Sequence, residues 1–103
     1  IRIGKSAIPK LLNELERANL SVLSELIDAI GHINFQNKVE NIYEPLLKCY
    51  HKNTKNDLIK WKIIRAMSGI KESETFLNEQ YKLMKNPRLK KEINRSLRIF
   101  KKL

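Results

Sequence analysis

The chain has 103 residues, 42% hydrophobic and 31% charged, a composition typical of one folded domain rather than a disordered chain. Its single cysteine excludes an internal disulfide and a cysteine-based zinc site, and its three glycines and three prolines leave few positions for hairpin turns. The net charge of +10 lies in residues 41–103, because residues 1–40 hold five basic and five acidic residues. This asymmetry predicts an anionic partner or surface for the second part of the chain.

Two helices are predicted in the first third of the chain. "SAIPKLLNELERA", residues 6–18, is opened by Ser6 and has an apolar face made of Ile8, Leu11, Leu12 and Leu15. "NLSVLSELIDAIGHI", residues 19–33, begins with Asn19, a residue type whose side chain caps helix starts. Gly31 lies near the predicted end of this second helix, where a left-handed C-cap favours glycine.

The middle of the chain predicts a longer first helix and a second helix like the one before it. "VENIYEPLLKCYHK", within a helix at roughly 37–53, groups Val39, Ile42, Leu46, Cys49 and Tyr50 on one face. Pro45 should start or kink this helix. "NDLIKWKIIRAMSGI", residues 56–70, follows behind Asn56 and ends at Gly69.

The last third repeats this arrangement. "SETFLNEQYKLMK" carries Phe76, Leu77, Tyr81 and Met84 on one side, behind Ser73 as the expected cap. "NPRLKKEINRSLRIF", residues 86–100, opens with Asn86, and Pro87 occupies the first helical position, where its missing N–H costs nothing.

The segments 19–33, 56–70 and 86–100 align without gaps, and each opens with asparagine. Counted from that asparagine, the residues at offsets 3, 7, 11 and 14 are apolar: Val22, Leu26, Ile30 and Ile33, then Ile59, Ile63, Met67 and Ile70, then Leu89, Ile93, Leu97 and Phe100. Ile3 extends the last column. Offset 10 is small in all three segments, Ala29, Ala66 and Ser96, which lets a neighbouring helix approach closely. This period predicts one buried stripe per helix.

The pattern resembles the HEAT-repeat family, in particular the short bacterial HEAT-like or PBS-lyase-like repeats. "SAIPKLL" (6–12), two residues after "IG" (3–4), is similar to the family's first-helix start, and "NPRL" (86–89) and "DAIGHI" (28–33) are similar to the start and end of its second helix. Leu23 stands where the family has arginine, and its glycine column reads Gly31, Ser68 and Arg98.

The resemblance implies an all-α, right-handed α-solenoid of about three two-helix repeats, approximately 5–33, 37–70 and 73–103, in a single domain 1–103. The alternative is an ordinary helical bundle with three similar helices. Because each repeat cannot bury its stripe alone, stacking would create one continuous core. The chain begins with Ile1, so we expect it to be a fragment of a longer protein. Family members are mostly binding scaffolds, and some are lyase subunits or DNA glycosylases.

Offsets 2, 5, 6, 9 and 12 of each second helix are predicted to point outward, and in HEAT proteins these faces line a concave groove. They comprise Ser21, Ser24, Glu25, Asp28 and Gly31, then Leu58, Trp61, Lys62, Arg65 and Ser68, then Arg88, Lys91, Glu92, Arg95 and Arg98. The face therefore changes from mildly acidic to strongly basic. Arg88, Lys91, Arg95, Arg98 and Lys102 form one ridge at helical spacing.

The sequence predicts a non-catalytic scaffold that binds a protein or peptide partner with acidic groups. The expected binding residues are Trp61, Lys62, Arg65, Arg88, Lys91, Arg95 and Arg98, with Trp61 as the anchor. Nucleic acid held by the same ridge, extended by Lys60, is the alternative, and a non-catalytic part of a larger enzyme is the weaker one. Two simpler interpretations stay open: Trp61 covers the seam between helices, and the ridge is a solvated helix face.

No motif predicts catalysis, a metal or a cofactor. His32 and His51 lie near helix ends and are expected to be surface or capping residues, and Glu25 with Asp28 is expected to be solvated. The chain has no glycine-rich phosphate loop, nucleophile elbow or HExxH motif. No apolar run approaches the roughly 18–20 residues of a membrane span, and no signal peptide is recognised, so the cytoplasm is the expected compartment.

Overall fold

The structure is a computed structural model, and it describes residues 5–36 and 41–101. A short 3-10 turn, Lys5–Ala7, precedes helices α1 (Ile8–Leu15), α2 (Leu20–Gln36), α3 (Tyr43–Lys52), α4 (Asp57–Ala66), α5 (Ser73–Leu83) and α6 (Pro87–Lys101). The described ranges contain no strand, which confirms the all-α prediction.

The six helices pack as three consecutive pairs. Helix α1 packs against α2, α3 against α4 and α5 against α6. The even-numbered helices also contact one another in chain order, α2 with α4 and α4 with α6. The shortest dimension of the molecule is 20 Å, close to the thickness of two helices at about 10–12 Å each. The even-numbered helices therefore form a row.

The three asparagines predicted as caps all cap their helices. The Oδ1 atoms of Asn19 and Asn56 accept hydrogen bonds from the backbone N–H groups of Val22 and Ile59, each at 3.0 Å. Asn86 Oδ1 accepts from the N–H of Arg88 at 2.9 Å and from that of Leu89 at 3.4 Å. Each side chain satisfies a backbone donor that the first helical turn leaves unpaired, which fixes where the even-numbered helices begin.

The described residues of the apolar stripe are buried except Val22, which is exposed, and Leu97, which is half-buried. Ile63 and Ile93 are fully buried, and Ile59 and Leu89 are 1% exposed. Val22, at the same offset as Ile59 and Leu89, is 41% exposed, and the neighbouring Leu23 is buried instead. The prediction for Val22 was wrong because, among the described helices, no even-numbered helix precedes α2 to cover this position. Ile3, Val39 and the Phe100 side chain lie outside the described residues.

Small residues set the distance between neighbouring even-numbered helices. Gly31 lies inside α2, and a Cβ there would stand 3.1 Å from Ala66 Cβ, so the prediction that Gly31 is a C-cap was wrong. In the next pair of helices, Ser68 Oγ lies 2.8 Å from Ser96 Oγ. Both contacts join offset 12 of one segment to offset 10 of the following segment. Ala66 and Ser96 therefore permit close approach, as the small-residue column predicted.

The glycine predicted at the second segment's end has the expected backbone conformation. Gly69 has φ +81°, in the left-handed region, and it lies shortly after α4. A residue with a Cβ is strained at such an angle, so glycine ends this helix at low cost.

The odd-numbered helices depart from their predicted starts. Neither Ala7 before α1 nor Glu72 before α5 caps its helix through a side chain. Ser6 lies in the 3-10 turn before α1. Ser73 is the first residue of α5, and its hydroxyl donates backward to the carbonyls of Met67 and Ile70, so the cap prediction for Ser73 was wrong.

Helix α3 is shorter than the predicted 37–53. Pro45 is its third residue, within the first turn, as its missing N–H requires. Asn41 has φ 64°, in the left-handed region, which ends any helical path from α3 back through that position. Residues 37–40 lie outside the described residues.

Candidate functional site

A groove of about 690 Å³ lies between the first halves of α4 and α6. Its walls come from both helices: Asp57, Leu58 and Trp61 on α4, and Asn86, Arg88, Lys91, Glu92 and Arg95 at the start of α6 and along it. We call this the α4/α6 groove. Four of the seven predicted binding residues meet here: Trp61, Arg88, Lys91 and Arg95. Lys62, Arg65 and Arg98 do not line it.

The α4 wall supplies an apolar surface. Leu58 is 58% exposed, which is high for a leucine, and Trp61 is half-buried, with part of its side chain packed against the core. Trp61 therefore covers the seam between helices and also lines the groove. The Arg65 guanidinium carbon lies 5.5 Å from the Trp61 ring centroid, so the indole already holds one cation over its ring.

The α6 wall supplies most of the positive charge. Arg88, Lys91, Arg95 and Arg98 are exposed, and within the described part of the chain none of them forms an ion pair. We call these four residues the basic ridge. Three of them line the groove, and Arg98 lies one turn further along α6. Because the ridge is unpaired, its charge is available to an anionic ligand.

The groove also contains negative charge. Asp57, the first residue of α4, lines the groove, and its Oδ2 accepts a hydrogen bond from Asn86 Nδ2 at 3.0 Å. This bond joins the start of α4 to the start of α6, and Asn86 caps α6 at the same time. The groove therefore carries two carboxylates, Asp57 and Glu92, among three basic side chains.

Lys62 is engaged elsewhere. Its ammonium forms an ion pair with Asp28 of α2, and its side chain is only 17% exposed. The Asp28 side chain is 50% exposed, so it is solvated as predicted and also forms this ion pair. The partners lie 34 residues apart in the chain, and spacing along one helix could not reveal the pair. Lys62 therefore joins α4 to α2.

Glu92 is the residue that sequence reasoning placed wrongly. It was expected to point outward, but it is 5% exposed. Its offset, 6, faces the preceding even-numbered helix. Accordingly Lys62 at this offset is half-buried, whereas Glu25, which has no such helix before it in the described part of the chain, is exposed. Burial at this offset depends on stacking, which a single helix pattern does not show.

The carboxylate of Glu92 has no hydrogen bond or ion pair with any described residue. No described side-chain nitrogen or oxygen is both fully enclosed and unpaired, so the Glu92 oxygens retain contact with solvent. Glu92 is thus largely buried and at the same time lines the groove.

The described cysteine and the described histidine and acidic side chains do not form a metal site. Cys49 is buried, and burial raises the pKa of its thiol, which keeps the thiol protonated at neutral pH. Among the residues that the structure describes, no group of three or more His, Cys, Asp or Glu side chains is placed to hold a metal ion.

Comparisons of the chain with protein-family models, with curated proteins and with solved structures returned no match. The HEAT-like resemblance accordingly stays a prediction. Within residues 5–36 and 41–101, no helix combines the length and apolar character that crossing a membrane requires.

Proposed function

We propose that the chain is a right-handed α-solenoid of three HEAT-like repeats that acts as a non-catalytic scaffold. Repeat-related contacts support this architecture. Gly31 meets Ala66 as Ser68 meets Ser96, and three asparagine caps stand at equivalent positions. In addition, Lys60 lies over the Tyr50 ring and Lys90 lies over the Tyr81 ring, each at offset 4 of its segment. Recurrence of contacts at fixed offsets favours stacked repeats over an irregular bundle.

The proposed activity is to hold a protein or peptide segment in the α4/α6 groove. One observation carries it: a partly exposed Trp61 and an exposed Leu58 stand opposite three unpaired basic side chains, Arg88, Lys91 and Arg95. Aromatic anchors beside charged groups are typical of residues that dominate peptide-binding energy. The mixture of apolar and charged walls suits a peptide better than a uniform polyanion.

Selection from a displayed random peptide library, followed by anisotropy with labelled peptides, tests this proposal. We expect Trp61→Ala to weaken binding about 30-fold, the size of a 2 kcal/mol hot spot. Tyr81→Ala is the matched control, because Tyr81 is also a partly exposed aromatic residue but lies outside the groove. Failure to enrich any peptide, or equal affinity for wild type and Trp61→Ala, contradicts the proposal.

Nucleic-acid binding along the basic ridge is the second candidate. It is favoured because the four ridge side chains are exposed and form no ion pair with a described residue. Binding to labelled DNA and RNA at about 50 and about 200 mM salt tests it. Arg88→Glu/Arg95→Glu should reduce the salt dependence by about two phosphate contacts. Lys10→Glu/Lys82→Glu, an equal charge change at exposed positions away from the groove, should have little effect. Equal losses in both double variants would indicate generic charge attraction.

The remaining proposals are wider in scope. The cytoplasm is the proposed compartment, where an unpaired cysteine such as Cys49 stays reduced. A role as the non-catalytic part of a larger enzyme is a weaker proposal. It predicts that the isolated chain binds neither peptide nor nucleic acid, so the two binding experiments above also test it.

A further inference from the structure

We propose that the α4/α6 groove recognises a peptide that places a lysine or arginine side chain against Glu92 and acidic side chains against the basic ridge. This proposal rests on the peptide-binding function above and specifies the chemistry of the partner. It assigns to Glu92 a binding role that the sequence did not reveal. The occupant is thus a segment of alternating charge rather than a simple acidic peptide.

The first support is the state of Glu92 in the free protein. Its side chain is 5% exposed, it has no ion-pair or hydrogen-bond partner among the described residues, and it lines the groove. A carboxylate that is largely removed from water and lacks an ion pair is less favourable than a paired one, and a bound cation would offset that cost. The favourable place for a ligand cation in this groove is therefore Glu92.

The second support is the equivalent position one repeat earlier. Lys62 at offset 6 is neutralised by Asp28 at offset 9 of the preceding segment. The corresponding pair between α4 and α6 is Glu92 with Arg65, and the charges are reversed. Arg65 instead lies over the Trp61 ring, with no ion pair to Glu92. Lys62 therefore has an internal counter-charge in Asp28, whereas Glu92 has none in Arg65.

The third support is the surface beside Glu92. Leu58 and Trp61 line the same groove, and the long aliphatic stems of lysine and arginine pack well on apolar and aromatic side chains. The position of Arg65 shows that this indole accepts a guanidinium group. A ligand arginine could therefore lie along the α4 wall with its charged end at Glu92.

The ridge determines where the acidic residues of the peptide should stand. Arg88 precedes Glu92 by four residues and Arg95 follows it by three, so they lie about 6 and 4.5 Å from it along the helix axis. In an extended peptide, residues two apart are separated by about 6.6 Å. The expected pattern is an acidic residue two positions before and two positions after the central base.

Nucleic acid fits this groove less well than such a peptide. A phosphate backbone following the ridge would approach Glu92 and Asp57, and like charges at close range oppose binding. Removal of the Glu92 charge should therefore strengthen nucleic-acid binding and weaken binding of the proposed peptide. The two ligand classes respond to one substitution in opposite directions.

The test uses synthetic peptides of the form Glu-x-Z-x-Glu, in which x is varied and Z is arginine, citrulline or norleucine. Citrulline keeps the shape of arginine without its charge. Binding to the full chain is measured through the fluorescence of Trp61, the only tryptophan. We expect the arginine peptides to bind about tenfold or more tightly than their citrulline partners. In Glu92→Gln this ratio should fall to about one.

Three outcomes would overturn this inference: equal binding of the arginine and norleucine peptides, an unchanged ratio in Glu92→Gln, or a lower melting temperature of Glu92→Gln. The last would show that the carboxylate stabilises the free protein. The proposed function has its own contradicting outcome. It fails if the library-selected peptides bind Trp61→Ala as tightly as the wild type. Selected acidic peptides that need Trp61 but not a central base would retain the function and reject the role of Glu92.

Discussion

At the residue scale, the contact between Gly31 and Ala66 shows how one missing side chain determines a helix–helix distance. A Cβ at position 31 would stand 3.1 Å from Ala66 Cβ and 3.2 Å from Ala66 Cα. The second of these atoms belongs to the backbone of α4, which cannot move without shifting the helix. Glycine inside α2 sacrifices helix propensity of about 1 kcal/mol, and the close packing offsets that loss.

Gly31→Val should therefore destabilise the protein by about 2 kcal/mol, because overpacking a close contact outweighs the gain in backbone propensity. Chemical denaturation measures the change in free energy of unfolding. Ser21→Val in the same helix is the control, since Ser21 is exposed, and we expect a change within about 0.5 kcal/mol there. Equal stability of wild type and Gly31→Val would show that α2 and α4 separate easily.

Tyr50 is a second residue whose environment makes a measurable prediction. It is 2% exposed, its hydroxyl donates to Gln80 Oε1 at 3.0 Å, and its ring meets Phe76 edge to face at 5.1 Å. Burial, with a smaller contribution from the Asp57 carboxylate, raises the pKa of Tyr50 to about 12 from an ordinary value of 10.0.

Stability should therefore fall as the pH rises from 10 to about 12. The unfolded tyrosine loses its proton above pH 10, whereas the folded one retains it, so the contribution of this group is complete below pH 10 and disappears through the folded pKa. The loss is on the order of 2 kcal/mol. Thermal melts against pH measure it, and Tyr50→Phe should flatten the curve in this range. A slope that Tyr50→Phe leaves unchanged would assign the effect to other groups.

At the element scale, the even-numbered helices begin where local chemistry directs, and the odd-numbered helices do not. Asn19, Asn56 and Asn86 each satisfy a backbone donor within three residues. Ser73 is also a residue type that can cap a helix start, but its hydroxyl instead donates to the carbonyls of Met67 and Ile70. The turn before α5 folds back over those carbonyls, so tertiary geometry overrides the usual preference of serine for an N-cap.

Replacement of each capping asparagine by alanine should separate these contributions. Asn19→Ala and Asn56→Ala should each cost about 1 kcal/mol. Asn86→Ala should cost about 2 kcal/mol, because it also removes the hydrogen bond to Asp57. Asn94→Ala is the control within α6, since Asn94 is exposed. Urea denaturation gives the values, and an Asn86→Ala loss no larger than that of Asn56→Ala would show that the link to Asp57 adds nothing.

At the scale of the whole molecule, α4 occupies the centre of the packing. It contacts α2, α3 and α6, whereas α2 and α6 each have one even-numbered neighbour among the described helices. Ile63 and Ile64 of α4 are fully buried. In a row of helices, the central member loses its contacts only when the whole assembly opens, and the end members can open locally.

Backbone amides of α4 should therefore exchange with deuterium more slowly than those of α1 and the end of α6. Ile63→Ala should cost about 3 kcal/mol and accelerate exchange in all helices, because it leaves a cavity at the centre of the core. Leu58→Ala in the same helix is the control, since Leu58 is 58% exposed. Mass spectrometry of the exchanged peptides measures both variants. Slowest exchange in α1, or an effect of Ile63→Ala confined to α4, would contradict this view.

The candidate site shows where sequence reasoning succeeds. The helical spacing of Arg88, Lys91 and Arg95 placed them on one face, and their alignment with Leu58 and Trp61 placed both sets on neighbouring helices that share a groove. The partner of Lys62 and the burial of Glu92 were not predicted. Both depend on which helix lies beside offset 6. Asp28 is far from Lys62 in the chain, and α4 is far from Glu92.

The sequence by itself determined the features governed by a few adjacent residues: the helical periods, the asparagine caps of α2, α4 and α6, the left-handed Gly69, and the repeated order of helices. These depend on backbone hydrogen bonds and side-chain spacing within about one to four turns of helix, which the sequence expresses directly. Only the tertiary structure decided that Gly31 permits a close contact, that Val22 stays exposed and that Glu92 is buried without a partner. The reason is physical, because burial and pairing are properties of two surfaces brought together, and each surface alone fits several arrangements.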